Sequence, residues 1–248
     1  MQETNHEVNI LYKEIIQKFR PLSDPSYMFP QEKVEYLRQM ALASNQTLAL
    51  CNRGVNTYSF IHVRNPDFKY FFSEKLEMDK FLTIMHPDDL SHFHHAWEFV
   101  SMFIDDKLQD DVMSYLLVFE CRLKDCYDQY QRVMFKYKII LDDDGSKGQL
   151  VLFLRSIDGF KSTIPSRGMY VIDVRNKAFK YTDKNSNISL REIEVIRYSQ
   201  KGLSSEDIAS KLSISKNTVD NHRRNVIKRL SVIDTGFAAM YLREMGLI

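Results

Sequence analysis

The chain has 248 residues, 44% hydrophobic and 27% charged, enough apolar material for a buried core in each of two domains. A net charge of +1 excludes a generic polyanion binder, and no apolar run approaches the length that spans a bilayer. Three cysteines, Cys51, Cys121 and Cys126, are an odd and widely spaced set, which argues against a disulfide framework or zinc site and for reduced, cytoplasmic thiols.

The N-terminus, Met1-Gln2-Glu3-Thr4-Asn5-His6-Glu7, has neither the basic region nor the apolar core of a signal peptide. From Val8 to Phe19, Ile10, Leu11, Ile15, Ile16 and Phe19 recur at helical spacing, and Pro21 stops the pattern. Gln31 to Ala43 predicts a second helix with Val34, Leu37, Met40 and Ala41 inward. Then the period changes. Thr57 to Val63 and Phe68 to Phe72 predict short aromatic strands around an Asn65-Pro66-Asp67 turn. Glu74 to Lys107 is expected to be mostly helical, broken at His86-Pro87-Asp88-Asp89. Three longer strands follow, Ser114 to Leu123, Gln131 to Leu141 and Gln149 to Ser156, with Asp142-Asp143-Asp144-Gly145 turning between the last two. A hairpin of Gly168 to Val174 and Ala178 to Tyr181 turns through Arg175-Asn176. The polar run Asp183-Lys184-Asn185-Ser186-Asn187 reads as a linker. The expected organisation is a helical segment at 1–45, a sensor or dimerisation domain at 46–183, a linker at 184–188 and a C-terminal domain at 189–248.

Two strands, several helices and three strands is the order of a PAS fold, and Phe81-Leu82-Thr83-Ile84-Met85-His86-Pro87-Asp88-Asp89-Leu90 resembles the "IHPDD" segment of PAS domains. Over Thr57 to Asp158 the resemblance implies a five-stranded antiparallel sheet with helices on one face, in a module that senses a small ligand or dimerises. Within it, Pro87 starts a helix and Asp88 and Asp89 suit its positive end, so the motif is read as structural rather than catalytic. His92, His94 and His95 are read as a surface cluster, because a metal needs more ligands than the sequence supplies. Asp142 to Asp144 belong to a turn, where aspartates are common. Cys51-Asn52-Arg53 has the wrong order for the flavin-binding Asn-Cys-Arg motif. No cofactor is evident; a small-molecule ligand is allowed, of unknown identity. Phe60, Phe71, Phe72, Met85, Phe93, Trp97, Phe99, Phe119 and Phe135 could line a ligand pocket, but such residues are more often core and are read so.

The last sixty residues carry the clearest signal. Ser189-Leu190-Arg191-Glu192 is a capping box. Ile193, Val195 and Ile196 supply a first apolar face, and Lys201-Gly202 ends that helix. Ser204, with Asp207 three residues on, opens a second helix whose buried edge is Ile208, Ala209 and Leu212. Ser213-Ile214-Ser215 forms the turn, and Ser215 caps a third helix of about Lys216 to Ser231. On that helix Val219, His222, Val226 and Leu230 share one face. Asn217, Asn221, Arg224 and Lys228 share the opposite face, flanked by Asp220 and Asn225. Five basic residues and one acid give this helix a charge of +4. Amides and arginine pair bidentately with adenine and guanine edges, and terminal cations suit phosphates. From Ser189 onward ten basic against seven acidic residues give +3, leaving about −2 for the rest of the chain.

Ile188-Ser189, Arg191-Glu192, Glu194-Val195-Ile196, Gly202, Ile208-Ala209, Leu212, Ile214-Ser215, Thr218-Val219, His222 and Leu230 together resemble the LuxR/FixJ/GerE-type DNA-binding domain. The resemblance implies an all-α domain of four helices, the third reading DNA and the fourth, about Thr235 to Met245, pairing two domains on DNA. Carried over by position, Asp220, Asn221 and Arg224 would read bases, while Ser215, Thr218, Arg223 and Lys228 would contact phosphates. Lys216 and Asn217 complete the candidate DNA-binding set. Asp220 stands where the family often has lysine. His222 is read as a packed family histidine rather than a metal ligand.

The expected fold class is therefore α+β, a PAS-like antiparallel sheet with helices followed by the helix-turn-helix domain. The expected function is cytoplasmic, sequence-specific transcription regulation on double-stranded DNA, without enzyme activity, metal or membrane. A homodimer is expected, paired mainly through the N-terminal region, with RNA polymerase as a further candidate partner. The alternatives are a sigma-factor-like promoter reader and an interaction module whose helix-turn-helix no longer binds DNA.

Overall fold

The computed structural model describes residues 27–52, 57–68, 75–107, 112–141, 143, 148–157, 169–175, 178–181 and 188–248. The expected Val8 to Phe19 helix, the Asp183 to Asn187 linker and most of the Asp142 to Gly145 turn lie outside them. Helix α1, Gln31–Ser44, starts after Pro30 and stops at Asn45, whose left-handed φ of 57° frees its N–H for the last carbonyls. It buries Leu37 and Ala41 but leaves Met40 41% exposed, so the expected inward face is narrower by one residue.

Among the described residues eight strands form one sheet: β1 Thr47–Asn52, β2 Thr57–His62, β3 Lys75–Glu77, β4 Tyr115–Lys124, β5 Tyr130–Leu141, β6 Gly148–Ser156, β7 Met169–Asp173 and β8 Ala178–Tyr181. Their order is β3-β2-β1-β6-β5-β4-β7-β8, and every neighbouring pair is antiparallel. The expected five-stranded sheet is thus extended at both edges. Strand β1 is an addition to the expected set, because it is buried almost throughout and shows no polar alternation. Of the expected Phe68 to Phe72 strand, Phe68 is corrected, since it ends the 3-10 turn Pro66–Phe68, in which Asn65 Oδ1 accepts from the Asp67 N–H at 3.0 Å, while 69–72 lie outside the described residues. The expected helix from Glu74 divides into β3, α2 Met78–Thr83 and α3 Leu90–Lys107.

Helices α2 and α3 cover the inner face of the sheet. Tyr58, Phe81, Phe93, Trp97, Phe119, Phe135 and Tyr137 fill the space between, each buried. Phe119 and Phe135 are cross-strand partners with rings stacked at 5.1 Å. The Tyr58 and Tyr137 hydroxyls satisfy each other at 2.8 Å in an otherwise apolar layer. His86-Pro87-Asp88-Asp89 is structural in a stronger sense than capping. His86 Nδ1 accepts from the Asp88 N–H at 3.2 Å, while Asp89, fully buried, accepts from the Arg122 backbone N–H at 2.8 Å, Nε at 2.9 Å and Nη2 at 2.6 Å. The motif therefore rivets the start of α3 to β4.

The histidines on α3 are not one surface cluster. His95 is exposed, His92 is half-buried and His94 is buried. Among the described residues no three His, Cys, Asp or Glu side chains group to hold a metal. Burial, and then neighbouring His95, push the His94 pKa below its ordinary 6.5, with Glu98 opposing. The unfolded chain then takes up this proton more readily than the folded one. The stability His94 contributes is present above pH 6.5 and is lost as pH falls towards its lowered folded pKa. Urea midpoints measured from pH 7.5 to 5 should fall, and His94→Gln should reduce the slope of that fall. An unchanged slope would remove His94 as a source.

The outer face of the sheet is shared. Helix α1 covers β1 and β6 through Leu37, Ala41, Leu48, Leu50 and Val151. Val118, Met134, Tyr170 and Ile172 pack instead in one cluster with C-terminal residues such as Val226, Tyr241 and Leu242. No helix among the described residues is long and apolar enough to cross a membrane.

Candidate nucleic-acid interface

Four short helices make the C-terminal domain: α4 Leu190–Gln200, α5 Ser205–Leu212, α6 Lys216–Leu230 and α7 Thr235–Glu244. Side-chain oxygens cap each one. Ser189 accepts from the Glu192 N–H and Glu192 accepts from the Ser189 N–H at 2.8 Å, and Ser204 and Asp207 repeat the exchange. Ser215 accepts from the Thr218 N–H at 3.0 Å, and Asp234 from the Phe237 N–H at 2.9 Å. Gly202, at φ +81°, ends α4 in a conformation that disfavours side chains. Val195, Ile208, Ala209, Leu212 and Val219 form the small core that sets α6 across α4 and α5. A turn of three residues, Ser213 to Ser215, joins α5 to α6, which is the helix-turn-helix arrangement.

On α6, Val219, Val226 and Leu230 are buried while Asn217, Asn221, Arg224 and Lys228 lie exposed together on the opposite side. His222 is half-buried. Arg224 Nη1 donates to Asn221 Oδ1 at 3.0 Å, so the amide and guanidinium are neighbours on the exposed face of α6. Lys216 stands at the start of the helix, paired with Glu206 at 2.5 Å; that pairing holds the Glu206 carboxyl below its usual range and raises Lys216. Ser215 and Thr218 share a hydroxyl contact of 2.8 Å at the helix N-terminus, where backbone N–H groups favour an anion.

Two of the expected DNA contacts face inward. Ser205 Oγ donates to Asp220 Oδ1 at 2.6 Å and accepts from Arg223 Nη1 at 2.7 Å. Arg223 Nε also donates to Ser199 Oγ at 2.9 Å, and Nη2 to the Leu203 carbonyl at 3.4 Å. Asp220 and Arg223 therefore tie α6 to α4 and α5 in this structure. Sequence reasoning misses Ser205 as the hub of this network; its sole signal is its place just after a capping serine. It also misses Arg229, whose Nη1 donates to Glu192 at 2.6 Å, and Arg191, which donates to the Leu212 carbonyl.

Residues 186–242 match the family model of bacterial regulatory proteins of the luxR family. This C-terminal domain is a LuxR-type helix-turn-helix. Regulatory protein SdiA of Escherichia coli is 40% identical over 62 residues, covering 25% of this chain and 26% of SdiA. Transcriptional regulatory protein LnrK of Bacillus subtilis is 42% identical over 60 residues, 24% of this chain and 27% of LnrK. The chain thus spans about a quarter of the length of these relatives. Vibrio cholerae VqmA without its target DNA aligns over 89% of each chain at 12% identity with a TM-score of 0.30. The family match at residues 186–242 contains the three-residue turn and the two helices, α5 and α6, that it joins.

Proposed function

We propose that the chain is a sequence-specific, DNA-binding transcription regulator that acts in the cytoplasm and has no enzyme activity. The observation that carries this reading is the exposed row Asn217, Asn221, Arg224 and Lys228 on the third helix of a LuxR-type domain. Asn221 and Arg224 read base edges. Ser215, Lys216, Thr218 and Lys228 hold the phosphates on either side. Asp220 and Arg223 brace the helix, and an exchange of their Ser205 bonds for DNA would add to the same surface. Asp220 is the residue that favours an interaction module without DNA binding. Its bond to Ser205 supports the DNA reading instead, because a carboxylate held there repels phosphates less.

The N-terminal sheet and its two inner helices act as a PAS-like module, divided from the LuxR-type domain at about residues 184–188. It senses a small molecule or pairs two copies, and RNA polymerase is the further partner of the bound state. One helix-turn-helix buries too little surface for tight specific binding, which supports a homodimer. Light scattering of the full chain at micromolar concentration tests the pairing. The function itself is tested by gel shift of the full chain on pooled random duplexes. A shifted complex that weakens steeply with salt is expected, and no shift at low salt would sink the reading.

A further inference from the structure

Strand alternation sends Val133, Phe135 and Tyr137 of β5 into the inner core and Arg132, Met134 and Lys136 to the outer face. Arg132 and Lys136 are nevertheless buried, because the LuxR-type domain lies over them. Arg132 is matched by the fully buried Glu120 of β4. Lys136 is not matched one for one. Its Nζ donates to Glu244 of α7 at 3.3 Å, and the other oxygen of that carboxylate pairs with Arg155 of β6 at 2.6 Å. Burial lowers the Lys136 pKa, Glu244 opposes this, and Arg155 adds to the lowering. A cleft of about 720 Å³ opens beside the Arg155–Glu244 pair, between β6 and helices α4, α6 and α7. Its charged lining is Arg155, Arg223, Arg243 and Glu244. The acceptors of Arg223 are all neutral: Ser199 Oγ, Ser205 Oγ and the Leu203 carbonyl. Asp220 reaches it only through Ser205. Arg243 is exposed and has no acidic partner among the described residues. Counting Lys136, which shares Glu244 with Arg155, four cations stand here against one carboxylate. Ala239 and Met240 of α7 add apolar surface to the lining.

We propose that this cleft binds a small organic phosphate, its phosphate group held by Arg155, Arg223 and Arg243 and its organic part set against Ala239 and Met240. Guanidinium groups grip phosphate through paired N–H donors, and a phosphate monoester carries close to two negative charges at neutral pH. That charge answers the cation excess of the lining. The volume falls in the range of small-molecule sites and exceeds what a bare phosphate fills. Occupancy breaks none of the bonds that hold the helices. Arg223 keeps its three acceptors and still has N–H groups on both Nη atoms to offer. Glu244 keeps Lys136 when Arg155 turns to the ligand. The site goes beyond the DNA-binding reading and does not depend on it, because the exposed row Asn217, Asn221, Arg224 and Lys228 supplies none of its lining.

Phenyl phosphate is the probe, titrated into the full chain and followed by calorimetry and by amide NMR shifts. Saturable binding is expected with a dissociation constant of about 1 mM or tighter. The shifts should fall at Ser199, Gly236 and Met240, which line the cleft, rather than at Asn217 and Asn221. Arg243→Ala should weaken binding about tenfold, through loss of a charge-assisted hydrogen bond. Arg243 is exposed, so the variant keeps the packing of α7. Lys211→Ala removes the same charge from an exposed site on α5 outside the cleft, and should stay within about twofold of the parent. Inorganic phosphate should bind about fivefold more weakly than phenyl phosphate, since it buries no apolar surface on Met240. No saturation by about 10 mM would overturn the proposal. So would shifts confined to the exposed row of α6, equal losses from the two variants, or equal binding of the two phosphates. Displacement of bound phenyl phosphate by a DNA duplex would make the cleft a seat for the DNA backbone and overturn the small-molecule ligand. A chain that binds phenyl phosphate here yet shifts no duplex in a gel would refute the DNA reading alone.

Discussion

Asp89→Ala is expected to cost about 3–5 kcal/mol of stability, because it removes the buried carboxylate from a guanidinium that stays buried. Asp89 is 0% exposed and Arg122 3%. Three Arg122 donors, the backbone N–H among them, lose their acceptor together. Asp88 is the internal control. It is adjacent in sequence, but its side chain is 70% exposed and stands 3.8 Å from Arg122 Nη2. Asp88→Ala should stay within about 0.5 kcal/mol of the parent. The chain has one tryptophan, Trp97, packed 5.4 Å from the Tyr137 ring, so its fluorescence reports this domain. Urea unfolding followed at Trp97 should separate the two variants widely. Similar midpoints would show that Asp89 is not the rivet between α3 and β4.

The second large effect is on recognition. Arg224→Ala should cost about 1–3 kcal/mol against the preferred duplex and relax preference at one base position, since a bidentate guanine contact is lost. Lys228→Ala removes a cation that serves any phosphate. It should weaken all duplexes alike and reduce the slope of log affinity against log salt by about 0.9. Competition titrations of both variants over single-base changes in the site measure the difference. Uniform weakening by Arg224→Ala, with preference intact, would move Arg224 to the backbone-contact class and leave Asn217 and Asn221 to read the bases.

The C-terminal domain is legible in the sequence because its signals are local. Ser189 with Glu192, Ser204 with Asp207, and Ser215 ahead of Lys216 each mark a helix start within four residues, and the apolar period follows at once. The long strands β4, β5 and β6 are legible by alternation. Strand β1 is not, because Thr47 to Cys51 are all buried and a strand covered on both faces loses its period of two. Phe68 reads as a strand residue by its type, yet the Asn65 side chain closes a turn that keeps it out of the sheet. Arg132 and Lys136 are the least legible. Their positions on β5 announce an outward face, and alternation alone does not tell water from a second domain. Likewise the family resemblance, carried over by position, implies DNA contacts at Asp220 and Arg223, whereas Ser205, fifteen residues before Asp220, bonds both and draws them towards α5. Periodicity assigns a face; what lies against that face is a tertiary fact.

The central claim is that α6 reads DNA sequence, and selection from random duplexes tests it most directly. The full-length protein would be cycled against a random library at moderate salt, beside Arg224→Ala. One short enriched motif is expected for the wild type, containing a guanine position whose constraint is lost in Arg224→Ala. Binding without enrichment, or the same motif at full strength from both proteins, would contradict it.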